Sequence, residues 1–70
     1  MIIEFKNPMD YYRVLKLIEN NDLDGLRVFL MKKLGRWLPR IMYAESQNGT
    51  FIIVFNRSLP FSRRKIVIGG

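Results

Sequence analysis

The run Thr50-Phe51-Ile52-Ile53-Val54-Phe55-Asn56 constrains the fold more than any other segment. Read as a strand, it is apolar on both faces, with Phe51, Ile53 and Phe55 on one and Ile52 and Val54 on the other. Such a strand must be covered above and below, so it belongs in the middle of a sheet. Asn48-Gly49 immediately before it is a strong hairpin signal, since both residues tolerate the positive φ of a type I′ turn. The strand on the other side of that turn, residues 40–46, alternates Ile41 and Tyr43 against Met42 and Ala44. After the break at Ser58-Leu59-Pro60, residues 64–68 read as a last strand.

The first half of the chain has a different rhythm. Residues 2–6 alternate, with Ile3 and Phe5 on one side and Ile2, Glu4 and Lys6 on the other, the period of a half-buried strand. Asn7-Pro8 ends it. Pro8 suits the first turn of a helix, where its missing N–H costs nothing, and Asp10 puts a negative charge near the positive helix end. Over residues 9–20 the wheel gathers Tyr11, Val14, Leu15 and Ile18 into one stripe opposite Arg13, Lys16 and Asn20. Asn20-Asn21-Asp22 then turns the chain, and Asp22 caps a second helix whose buried face is Leu23, Leu26, Phe29, Leu30 and Leu34. Lys32 and Lys33 fall in its last turn, and Gly35 ends it in a left-handed conformation. Val28 and Met31 lie off the buried face, so this helix presents apolar surface on a second side.

These elements give an α+β fold of order β-α-α-β-β-β in one domain spanning residues 1–70: a small antiparallel sheet of about four strands with both helices on one face. The other face of that sheet would carry Ile2, Ala44, Ile52, Val54 and Val67 among Glu4, Lys6 and Lys65. That is too apolar for water. A chain of 70 residues buries only about 60% of its unfolded surface, and without cysteine or histidine it has neither disulfide nor the usual metal ligands as a staple. A second subunit or a partner protein is therefore expected on the helix-free face, and a homodimer is the expected state.

Charge is split along the chain. Up to Met31 four basic residues face five acidic ones; from Lys32 onward there are eight basic residues and one acid, Glu45. A positive field concentrated in one part of a small protein attracts polyanions or an acidic protein surface. Arg36-Trp37 and Arg40 set the only tryptophan between arginines, where an indole can stack on a base and the arginines can hold phosphate. The plainer assignment for a lone tryptophan is the core, because it buries so much area. Arg57, Arg63, Arg64 and Lys65 bracket the loop whose tip holds Phe61, and converge at one sheet end if that loop joins neighbouring strands. The plainer assignment for them is solvated charge that keeps a sheet edge from pairing with other chains. With Lys32 and Lys33 they form the candidate binding set for nucleic acid, DNA or RNA, or for an acidic protein partner.

Catalysis is poorly served. Tyr11, Tyr12, Tyr43 and Glu45 stand at no diagnostic spacing, and there is no phosphate-cradling glycine loop or metal-ligand cluster, so neither cofactor nor metal is expected. No segment reaches the roughly 20 apolar residues of a membrane span, and the first residues lack a signal-peptide pattern, so a cytoplasmic protein is expected. The expected function is that of a small basic nucleic-acid-binding protein without enzymatic activity, a regulator of the phage, viral or plasmid type; the alternative is an inhibitor or adaptor docking on an acidic protein.

Strand, helices and hairpin in this order resemble a winged helix, with residues 22–34 as recognition helix and Asn48-Gly49 as wing tip. The exposed face of that helix, with Asp24, Arg27, Val28 and Lys32, is weakly suited to reading bases. The same order is similar to RelE/ParE-type toxins, which cleave RNA with Arg and Lys, although no motif of that family and no C-terminal helix is present here. Gly69-Gly70 is similar to the diglycine of ubiquitin-like carriers, but those folds open with a hairpin, where this chain goes from one strand into a helix at Pro8.

Overall fold

The protein is described from a computed structural model over residues 1–60 and 64–69. The order is β1 (Ile2–Phe5), α1 (Pro8–Glu19), α2 (Leu23–Leu34), β2 (Ile41–Gln47), β3 (Thr50–Phe55) and β4 (Lys65–Ile68). Both helices begin on side-chain caps. Asn7 accepts from the Met9 N–H at 2.9 Å with Pro8 in the first turn, and Asp22 accepts from the Gly25 N–H at 2.9 Å. A cap of this kind satisfies one of the amide donors that a helix start leaves without an intrahelical partner. Gly35, at φ 67° and ψ 31°, closes α2 in the left-handed region, with its N–H on the Met31 carbonyl. Among the described residues no helix is long and apolar enough to cross a membrane.

The helices cover one face of a four-stranded sheet of order β2-β3-β1-β4. Ile3, Phe5, Phe51 and Ile53 point to them and pack with Val14 of α1, Leu26 and Leu30 of α2, and Leu38 of the following loop. Phe51 is the hub: its ring stands 5.9 Å from Phe5 and 5.1 Å from Tyr11, so β3, β1 and α1 meet at one side chain. Val14, Leu26, Leu38 and Phe51 are completely buried.

Two details of the sheet differ from the expectation. The first is that the sheet is mixed and not wholly antiparallel: β1 lies between β3 and β4, antiparallel to the former and parallel to the latter. β3 and β4 are therefore not neighbours and do not form a hairpin. The expected neighbour relation failed because β1, with apolar residues on both faces, takes the slot beside β3. Just before β1, the Met1 ammonium donates to the Ile53 carbonyl at 2.9 Å and the Ile53 N–H donates to the Met1 carbonyl at 2.8 Å. The second is a register shift between Ile41 and Tyr43, where Ile41 stands opposite Phe55 but Tyr43 opposite Val54. One extra residue at Met42 is a bulge, and a bulge turns every later side chain to the other face. Ala44 thus moves to the core side opposite Ile53, and Tyr43 moves outward beside Glu45, the reverse of simple alternation.

Candidate nucleic-acid interface

Gly35 turns the chain back along α2, and the four residues that follow divide sharply. Leu38 and Pro39 are buried, whereas Trp37 is 58% exposed, so the core assignment for the lone tryptophan is overturned. The smaller pair fills the space between α2 and β2, and the indole is left on the outside. Arg27, one helical stretch earlier, holds this reversal in place: its Nε donates to the Leu38 carbonyl at 2.7 Å. Its guanidinium carbon also lies 5.5 Å from the Trp37 ring centre.

A second arginine reaches the same ring from the sheet. Arg57, just past β3, has its guanidinium carbon 5.0 Å from the Trp37 centroid. Arg40 enters β2 beside it, tied to the end of β3 by the Asn56 N–H on its carbonyl at 2.9 Å. Arg27, Arg40, Arg57 and Trp37, with Asp24, Pro39 and Asn56, line one open hollow of about 600 Å³, in the size range of a nucleotide-sized ligand site. On its other side Trp37 borders a shallow apolar surface made by Val28 and Met31, with Lys32, Gly35 and Arg36 around it.

Among the described residues of the expected set, one part gathers at this corner and another lies elsewhere. Trp37, Arg40 and Arg57 converge, with Arg36 and Lys32 at the border. Lys33 is drawn away onto Asp10 of α1, 3.0 Å, and Lys65 onto Glu4 of β1, 2.6 Å. With β1 between them, β3, which Arg57 follows, and β4, which Lys65 begins, are not adjacent but about 10 Å apart, so the loop between them does not join neighbouring strands. Arg64 precedes β4 on that far side. Phe61 and Arg63 lie outside the described residues. Arg27 was not in the expected set; on the wheel it is one more exposed helix charge. Its partners, Trp37 and Leu38, lie ten and eleven residues on, across a chain reversal that periodicity does not encode, although the left-handed glycine at 35 signals the reversal itself.

The remaining electrostatics are local. Glu4 titrates below the ordinary carboxylate range, because Lys65 donates to it and adds its charge. The Tyr43 hydroxyl donates to Glu45 at 2.9 Å, which raises its pKa by stabilising the protonated phenol next to a carboxylate. Among the described residues no three acidic side chains gather as a metal site would need. No family model, curated protein or solved structure matches this chain.

Proposed function

We propose that this protein binds single-stranded nucleic acid at the Trp37 corner, without catalysis. The observation that carries the reading is an indole more than half exposed, flanked by Arg27 and Arg57 and opening onto a hollow that also holds Arg40. Base stacking on an aromatic ring contributes about 1–3 kcal/mol, and arginines beside it supply phosphate contacts and additional stacking planes. In this reading Trp37 receives a base, Arg27, Arg40 and Arg57 meet phosphates, and Arg36 and Lys32 extend the track along the end of α2. The overall charge of +6 favours encounter with a polyanion. The protein acts as a homodimer in the cytoplasm, in a regulatory role of the kind small phage, viral and plasmid proteins fill.

Titration of fluorescently labelled single- and double-stranded DNA and RNA at two salt concentrations tests this. Single strands are expected to bind more tightly than duplex. Three or four phosphate contacts give a slope of log K against log salt of about −2 to −3. Absence of binding at low salt would transfer the corner to the competing reading, an acidic protein surface as partner.

A further inference from the structure

The face of the sheet that the helices leave open carries a row of four side chains in register across all four strands: Glu45 of β2, Ile52 of β3, Ile2 of β1 and Lys65 of β4. The middle of the row is apolar and its ends are opposite charges. Val54, Tyr43 and Val67 flank it, each about half exposed. We infer that this face binds a second copy of the chain, about a two-fold axis that runs parallel to the strands and passes between Ile52 and Ile2.

The charges choose that axis. A two-fold along the strands reverses the row, which sets Glu45 over the partner's Lys65, Lys65 over the partner's Glu45, and Ile52 over the partner's Ile2. A two-fold across the strands leaves the row unreversed and stacks glutamate on glutamate and lysine on lysine. Only the first is self-complementary, as an isologous interface must be, and like charges brought together at an interface cost several kcal/mol. Two sheets packed face to face keep their strand directions within about 30°, which this arrangement satisfies. Each end charge already has a partner in its own protomer, Tyr43 for Glu45 and Glu4 for Lys65, so neither is left uncompensated when the rim closes.

The footprint sets the strength. Four strands about 4.8 Å apart and averaging about five residues cover roughly 300 Å² in plan. That is well below the roughly 800 Å² per partner of a standard stable complex, so a concentration-dependent monomer–dimer equilibrium is expected. The axis has a geometric corollary. Because it preserves strand direction, both Trp37 corners, which sit where β2 begins and β3 ends, come to the same end of the dimer.

Sedimentation equilibrium of the whole chain from about 1 µM to 1 mM tests the pairing. The wild type should pass from monomer to dimer, and a monomer throughout overturns the proposal. Glu45→Gln keeps an acceptor for Tyr43 and removes one charge; dimerisation should weaken about three- to tenfold, whereas unchanged or tighter association overturns the axis. Glu45→Lys and Lys65→Glu should each fail to associate alone yet associate when mixed, since the mixed dimer restores both charge pairs; failure of the mixture, with both variants folded by circular dichroism, overturns it too. Should Lys65→Glu not fold, Val54→Lys on the same face should abolish dimerisation, and a dimer that survives it overturns the surface.

Discussion

Lys33 and Lys65 meet carboxylates, whereas Arg27 and Arg57 meet an aromatic ring, and the two kinds of partner have opposite consequences for the field outside the protein. A carboxylate offsets the far field of the charge it holds. A ring orients a guanidinium and leaves its full charge to act on solvent and ligand. These four cations are thus sorted by their neighbours: Lys33 and Lys65 are held against carboxylates of α1 and β1, and Arg27 and Arg57 against the Trp37 ring. Position in the fold, and not the count of Lys and Arg, decides where a polyanion feels the protein.

The largest test of that contrast removes the ring. Trp37→Ala should weaken single-strand binding by about tenfold to a hundredfold, matching a stacking contribution of about 1–3 kcal/mol, while thermal unfolding moves little because the indole is mostly exposed. Fluorescence anisotropy and a melting curve read both effects. Arg57→Ala and Lys33→Ala sharpen the contrast, since each removes one positive charge. The arginine variant should lose about tenfold in affinity and the lysine variant less than about threefold; equal losses would mean diffuse attraction with no corner at all.

Acid probes the carboxylate side. Lys65 depresses the Glu4 pKa in the folded state, so the pair contributes stability that is fully present above the unfolded carboxylate value near 4.5 and is lost as pH falls through the lower folded value. Amide exchange in β4 is therefore expected to accelerate relative to β3 in that acid window, and Lys65→Met should remove the difference between pH 6 and pH 3. The smallest effect is at the start of α2. A β-carbon on Gly25 would overlap the Asp22 carboxylate, so Gly25→Ala gains helix propensity but displaces the cap, and the two changes, each about 1 kcal/mol, nearly cancel. In an Asp22→Ala background the same glycine substitution should stabilise by about 1 kcal/mol, measured by urea denaturation.

What was legible in the sequence was local chemistry. Asp22 and Gly35 marked both ends of α2, Pro8 the start of α1, and Asn48-Gly49 the turn, with both turn residues at positive φ. The two-faced run at 51–55 marked a strand paired on both sides. What was not legible depends on choices between distant segments. Nothing in alternation announces a bulge at Met42, because its cost and benefit lie in how β2 must bend to keep both Ile41 and Ala44 on the core. Nor does spacing say that β1 separates β3 from β4, since two strands compete for one edge and only their packing decides. Trp37 followed the same logic: Leu38 and Pro39 already filled the core beneath the loop, and general preference for burying indole yielded to available volume.

The place of β1 also fixes an order in time. Lys65, the partner of Ile2 in the parallel register, lies 63 positions further along, so at about 5–20 residues per second β1 waits roughly 3–13 s on the ribosome for its second neighbour. The β2–β3 hairpin needs only about 1–10 µs. Lys65 comes only ten positions after the end of β3 at Phe55, so for about 0.5–2 s of that wait the nascent sheet can hold three strands with β1 as its open edge, the kind of edge on which another nascent chain can add a strand. Glu4 stands on that edge with its carboxylate not yet met by Lys65, and a lone charge there opposes the addition of a foreign strand. The residue that closes the finished sheet as half of an ion pair is thus also expected to guard its edge during synthesis.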